Sequence, residues 1–287
     1  MSKFKQAMET YRKRPLSLFL RIVVIAAAVI TAFILGAIII YILVKGIPNL
    51  SPELFAWEYN TDNVSMTPAI INTILMVLLT LVFAAPIGIF SAIYLVEYAK
   101  RGNKLVNIIR MTTETLAGIP SIVYGLFGYL MFVIAMHWGY SFIAGALTLA
   151  IMVLPTIMRT TEEALKAVPD SYRDGSFGLG AGRLRTVFQV VLPSAIPGIL
   201  SGVILSIGRI VGETAALIFT AGTIAAIPAS VMNSGRTLAI HMYALLNEGL
   251  YMNQAYATAV VLLVMVIIIN GISGLIAKAF SKRTGEK

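Results

Sequence analysis

An all-α integral membrane fold of six transmembrane helices is predicted by three features of the sequence: its composition, the recurrence of long apolar runs, and the side on which Lys and Arg gather. Hydrophobic residues fill 58% of the 287 positions and charged residues only 12%, against about a quarter charged in a soluble domain. Apolar runs long enough to cross a hydrocarbon layer, roughly 17 to 25 residues each, stand at 22–44, 69–96, 116–136, 142–158, 196–220 and 255–277. None shows the period-two alternation of a barrel strand, and lipid leaves a spanning backbone only helix or closed barrel. Nineteen of the 22 Lys and Arg fall before the first run, in 100–110, in 159–185, or after the last run. The opposite loops hold only Lys45 and Arg236, and Arg209 lies inside a run. Positive charge marks the cytoplasmic face, so both termini are predicted to be cytoplasmic in a multi-pass plasma (bacterial or archaeal inner) membrane protein.

That placement also explains the net charge of +9 as topology; the basic residues do not form the single patch that nucleic acid would need. Cysteine is absent, which excludes a disulfide framework and a thiolate metal site; no metal or cofactor is expected.

Taken in order, 1–21 is a cytoplasmic tail whose Lys3, Lys5, Arg12, Lys13, Arg14 and Arg21 set topology beside anionic lipid. The first helix, 22–44, exceeds the core of about 7 to 15 residues typical of a signal peptide, so it is read as retained. An external connector, 45–68, precedes a core of five helices over 69–277, and 278–287 is a second cytoplasmic tail. Trp57 and Trp138 sit near span ends, where interfacial aromatics belong. His137 and His241 fall in external connectors and are expected to be solvated. Gly118, Pro120, Gly125 and Gly128 make the third run bendable, for packing or for gating. The external loop 221–254 contains Pro228, Asn233 and Gly235, then a helical stretch near 237–247, and offers a surface for an outside partner.

The internal loop 159–195 is charged in its first half and glycine-containing afterwards, which membrane packing does not require. A short helix should run through Lys166, break at Val168-Pro169 and restart near Ser171, because proline disfavours helix in the residue before it and suits a helix start. Gly178, Gly180 and Gly182 should then bend the chain before it climbs to the membrane at Leu192-Pro193. Asp174, Gly175, Ser176, Gly180, Val190, Leu192 and Pro193 stand at the spacing of the EAA loop of ABC importer permeases, and the segment resembles it, with Gly and Ser in place of helix-favouring alanines. The resemblance implies a type I importer permease whose loop couples to ATP hydrolysis through Asp174, Gly175, Ser176, Gly180, Leu192 and Pro193. Asn72-Thr73, Pro86-Ile87-Gly88 and the residues Ala92 through Tyr94 are similar to the opening of such permease cores.

The run Arg209-Ile210-Val211-Gly212-Glu213-Thr214-Ala215-Ala216 resembles phosphate permeases and, through Gly222, their PstA rather than their PstC branch. It implies inorganic phosphate as cargo, a substrate pathway with Arg209 and Glu213, a PstC-like permease partner, a PstB-like ATPase dimer inside and a PstS-like binding protein outside. Independently of the resemblance, a charge at mid-membrane costs at least about 2.5 to 3.5 kcal/mol and needs a reason. At 100° per residue, Gly198, Gly202, Leu205, Arg209, Glu213 and Ala216 share one stripe that should face the bundle interior. A four-residue spacing permits a neutralising Arg209–Glu213 pair; a guanidinium fork also suits a tetrahedral oxyanion. Glu213 is then expected to temper that trap and to accept the P–OH hydrogen bond that sulfate lacks. The alternatives are import of sulfate or molybdate and, in other classes, an ion-driven secondary transporter or an intramembrane enzyme. Glu213 is the sole acid deep in a run, whereas ion coupling predicts several, and no nucleophile or metal constellation is visible. The chain carries no G-x-x-x-x-G-K-[ST] loop, so energy is expected from a partner and the chain is not itself an enzyme.

Overall fold

The computed structural model describes residues 15–100 and 102–283; the 1–14 part of the first tail, Arg101 and the 284–287 part of the second tail lie outside the described residues. Regular structure among the described residues is all helical. The elements are α1 (Pro15–Gly46), α2 (Thr67–Ile93, continued as a π-helix Tyr94–Tyr98), α3 (Lys104–Ala117), α4 (Ser121–Gly128, continued as a π-helix Tyr129–Ala135) and α5 (Phe142–Ala167). They are followed by α6 (Asp170–Gly178), α7 (Arg183–Thr186, leading into a π-helix Val187–Val191), α8 (Leu192–Val211), α9 (Ala215–Thr220), α10 (Leu238–Glu248) and α11 (Met252–Arg283).

Five helical stretches, α1, α2, α5, the continuous α7–α8 rise and α11, are long and apolar enough to cross a membrane, and α3 with α4, bent at 106°, would count as a sixth if the bent pair is one span. This corrects the expected span at 116–136. Pro120 lacks an N–H and drives Ile119 away from helical backbone, so Leu116 and Ala117 end α3 instead of starting a span. Leu105, Ile108 and Met111 are exposed at three-residue spacing along α3, the kind of apolar face that a helix lying along a membrane surface presents. α4 and its π-helix contribute eight and seven residues, about 22 Å at 1.5 Å per residue, which is short of a hydrocarbon layer of about 30 Å.

The core is built where small residues let backbones approach. A Cβ on Gly202 of α8 would collide with the Thr160 side chain of α5, and one on Gly125 of α4 would lie 2.8 Å from the Ala216 Cα of α9. Met76, Leu149, Met152, Ile157, Ile210 and Leu217 fill the centre. α1 stands outside it, exposed along its apolar length, and touches α11 through the Tyr41 and Tyr256 hydroxyls at 3.2 Å. At its other end the α7–α8 rise passes through a π-helix because Pro193 withholds a donor and crowds the carbonyl one turn earlier.

The external loop keeps an exposed outer side, with Ile224, Val231, Met232 and Leu250 in solvent, while its inner side is fastened to the core. Asn72 donates from Nδ2 to the carbonyls of Ala226 (2.9 Å) and Arg236 (3.1 Å), and the Leu238 N–H donates to the Thr73 hydroxyl at 2.9 Å. Asn72 and Thr73 thus fasten the loop onto α2, and α10 buries Leu238, Ile240, His241 and Leu245. His241, expected to be solvated, is fully buried, edge-on to Tyr59 at 6.1 Å, with the Arg236 guanidinium 4.5 Å from the centre of the same ring. The 45–68 connector, folded over α10, is what excludes water. Burial first, and Arg236 second, push the His241 imidazole down to about 3 from 6.5.

An imidazole neutral in the fold but protonated in the unfolded chain makes stability fully present above the unfolded value. It is lost as pH falls toward the folded value, by about 1.4 kcal/mol per unit. The thermal midpoint should therefore drop more steeply from pH 6.5 to about pH 5 in the natural protein than in His241→Gln; equal slopes would remove His241 as the acid-sensitive group.

Candidate functional site

α8 carries Arg209 in its last turn and stops at Val211. Gly212 ends the helix, so Glu213 leaves the stripe that a continuous helix would give it. Its buried carboxylate accepts from the Ala216 N–H at 3.1 Å, capping α9, where an acceptor satisfies free N–H groups and the helix dipole favours negative charge. No ion pair joins Arg209 to Glu213 among the described residues. The neutralising pair permitted by the spacing is therefore absent, because spacing fixes an angle only while the helix continues.

Arg209 instead faces a cavity of about 600 Å³ with Thr156, Ser201, Ser206 and Asn270. It is half-buried and has neither an ion pair nor a hydrogen bond among the described residues. Gly198 and Gly202, lower on the same stripe, pack on Ala164 and Thr160 of α5, while Leu205 is 63% exposed; the stripe passes from packed to open as it nears Arg209. A second cavity, of about 460 Å³, shares Thr156 and Leu205 with the first and reaches Arg110 of α3 and Arg159 and Lys166 of α5. The Arg209 guanidinium and the Asn270 carboxamide can donate to an oxyanion in this void in place of its water, while the Ser201 and Ser206 hydroxyls already donate to the carbonyls of Pro197 and Gly202. Asn270 was passed over in the sequence, although it is a lone amide in the last apolar run.

The cytoplasmic element is a second candidate site. α5 ends at Ala167, Val168 and Pro169 are extended, and α6 starts at Asp170. Gly180 takes φ +83°, the left-handed conformation in which a Cβ is costly, and turns the chain toward α7. The Ser176 and Thr186 hydroxyls, 2.8 Å apart, tie α6 to α7. Arg173 anchors the corner from inside: it donates to Glu97 at 2.7 Å and to the carbonyls of Val168 (2.8 Å) and Leu165 (2.9 Å). The bond to Glu97 is the main cause that raises its pKa. Asp174 and Gly175 lie on the outer, exposed side. Leu192 packs at the base among Val187, Val191 and Ala195, and Pro193 opens α8.

The six loop residues are thus divided between an exposed tip and a packed root. Between them stand apolar side chains that the sequence reading did not single out: Tyr172, Phe177, Leu184 and above all Leu179, which is 91% exposed. An apolar patch on a charged, non-lipid face marks a protein contact, and the alternation of these residues with charges in 172–184 was the available signal.

Residues 84–286 match the family described as "Binding-protein-dependent transport system inner membrane component". The chain is 34% identical over 264 residues to the "Probable ABC transporter permease protein YqgI" of Bacillus subtilis (strain 168), covering 86% of this chain and 89% of that one. It is 40% identical over 186 residues to the "Phosphate transport system permease protein PstA" of Pasteurella multocida (strain Pm70), covering 64% and 66%. Its fold resembles a chain of a bacterial ABC transporter involved in the import of the acidic polysaccharide alginate, with a TM-score of 0.64, 12% identity, and 94% and 99% coverage.

Proposed function

Because the chain belongs to the binding-protein-dependent transport system inner membrane component family, as a membrane permease subunit of an ABC importer, we propose that it is a PstA-type subunit carrying inorganic phosphate into the cytoplasm. Arg209, an unpaired guanidinium facing a cavity with Ser201, Ser206 and Asn270, is the observation that carries the proposal. A membrane segment retains such a cation at a cost of at least about 2.5 kcal/mol, and an anionic cargo supplies the compensation. The wording from Arg209 to Gly222 and the PstA relatives favour phosphate among the oxyanions.

In this scheme a PstC-like permease completes the pathway opposite Arg209, and a PstS-like protein delivers phosphate from outside. A PstB-like ATPase dimer docks on α6 and α7, and its nucleotide cycle pulls the root at Leu192 and Pro193 through the tip at Asp174, Gly175, Ser176 and Gly180. Arg173, pinned to Glu97 at the end of α2, would make that tip move as one body with the membrane helices.

The test is the ATPase rate of the reconstituted complex with its binding protein, in phosphate, sulfate or molybdate. Stimulation by phosphate alone is expected. Equal stimulation by the other oxyanions would reassign the cargo, and no response to any of the three would reject an oxyanion altogether.

A further inference from the structure

Away from Arg209, the end of α2, the helix α3 and the elements α6 and α7 enclose a cavity of about 610 Å³. Five basic side chains and two carboxylates line it, and the carboxylates are already committed. Glu97 and Asp170 both accept from Arg173, while Lys166 and the Arg110 Nε share Glu162 at 2.8 and 3.2 Å. Lys100 and Arg183 have no carboxylate partner among the described residues; Arg183 rests on the Tyr98 ring at 5.4 Å. The remainder of the Arg110 guanidinium has no partner there either. A concave wall with ammonium and guanidinium groups that lack carboxylate partners is suited to an anion.

Two features specify its chemistry. Guanidinium and ammonium groups together suit a tetrahedral oxyanion. Leu95, Val96 and Val106 add apolar surface to the same lining, so the hydrocarbon next to a charged headgroup would also find contact there. Basic pockets at the cytoplasmic ends of membrane helices hold anionic lipid headgroups by these means.

We infer that this cavity is a cytoplasmic site for a phosphate group, held by Lys100, Arg183 and the outer nitrogens of Arg110, and supplied by an anionic phospholipid headgroup or by free inorganic phosphate. Its walls join α3 to the coupling element, so occupancy would brace the two against each other. The site does not depend on which solute crosses at Arg209.

The experiment uses the full permease–ATPase complex in nanodiscs of phosphatidylcholine with or without phosphatidylglycerol, read by native mass spectrometry for retained lipid. Labelled inorganic phosphate is the second probe, in phosphatidylcholine alone and in an Arg209→Ala background that removes the candidate transport site. Retention of one probe by the natural cavity, reduced on the order of tenfold in Lys100→Gln/Arg183→Gln and kept in Lys100→Arg/Arg183→Lys, is the expected result. The probe that responds names the source. Should the double variant not assemble, Lys100→Gln alone, at an exposed side chain, should still give a loss of about fivefold. Equal binding of both probes by the natural and charge-removed complexes would overturn the site.

Discussion

Arg209→Ala is expected to give a complex that inserts, assembles with its ATPase and scarcely transports. The guanidinium makes no ion pair or hydrogen bond among the described residues, so its removal breaks no polar contact and relieves a half-buried charge. Two charge-assisted hydrogen bonds to an oxyanion, each worth roughly 1.5 to 3 kcal/mol, would be lost. Uptake of labelled phosphate should fall on the order of a hundredfold, while copurification of the ATPase is unchanged. Arg209→Lys should recover part of the loss, because an ammonium keeps the charge but not the fork. Glu213→Gln separates the two residues: its amide oxygen still accepts from the Ala216 N–H, so α9 keeps its cap and only a role in transport would be disturbed. Full phosphate uptake by Arg209→Ala would take Arg209 out of the pathway and remove the observation on which the cargo assignment rests.

The unequal fates of Arg209 and Glu213 mark the boundary of what the sequence reveals. Fold class was legible because it follows from solvent: a chain with this much apolar length has only helices available in lipid. The corner at Val168-Pro169 and the turn at Gly180 were legible because proline and glycine act on their immediate neighbours, and the structure puts the helix break and the positive φ there. The helical stripe assigned to Glu213 failed for a related reason. Periodicity carried an angle of 100° per residue through Gly212, whereas the helix had already ended at Val211.

Contacts distant in sequence left no local trace. Arg173 meets Glu97 across 76 positions, and His241 is buried by Tyr59 of another connector. Each of these side chains, taken alone, resembles an ordinary loop residue. The cavity at Arg209 is assembled from α5, α8 and α11, so its polar wall exists only once three helices have packed. Asn270 belongs to both classes, visible as an isolated amide yet without meaning until Gly208 is beside it, where an added Cβ would stand 3.9 Å from its side-chain oxygen.

Leu179→Asp carries the other large effect and probes the coupling element where the fold has least at stake. The side chain is 91% exposed, so a carboxylate there stays solvated and costs the isolated permease little. In a docked complex the same carboxylate would be buried against apolar surface, where an unpaired charge costs about 2 kcal/mol or more. Affinity for the ATPase subunit should therefore fall at least roughly thirtyfold, with insertion and thermal stability of the permease retained. Phosphate-stimulated ATP hydrolysis should vanish with it, because the tip would no longer be gripped even though Arg173 still joins that tip to α2. Normal ATPase copurification together with normal transport in Leu179→Asp would place the docking surface elsewhere on the cytoplasmic face. Normal copurification without transport would keep the contact and show that Leu179 passes on movement, not affinity.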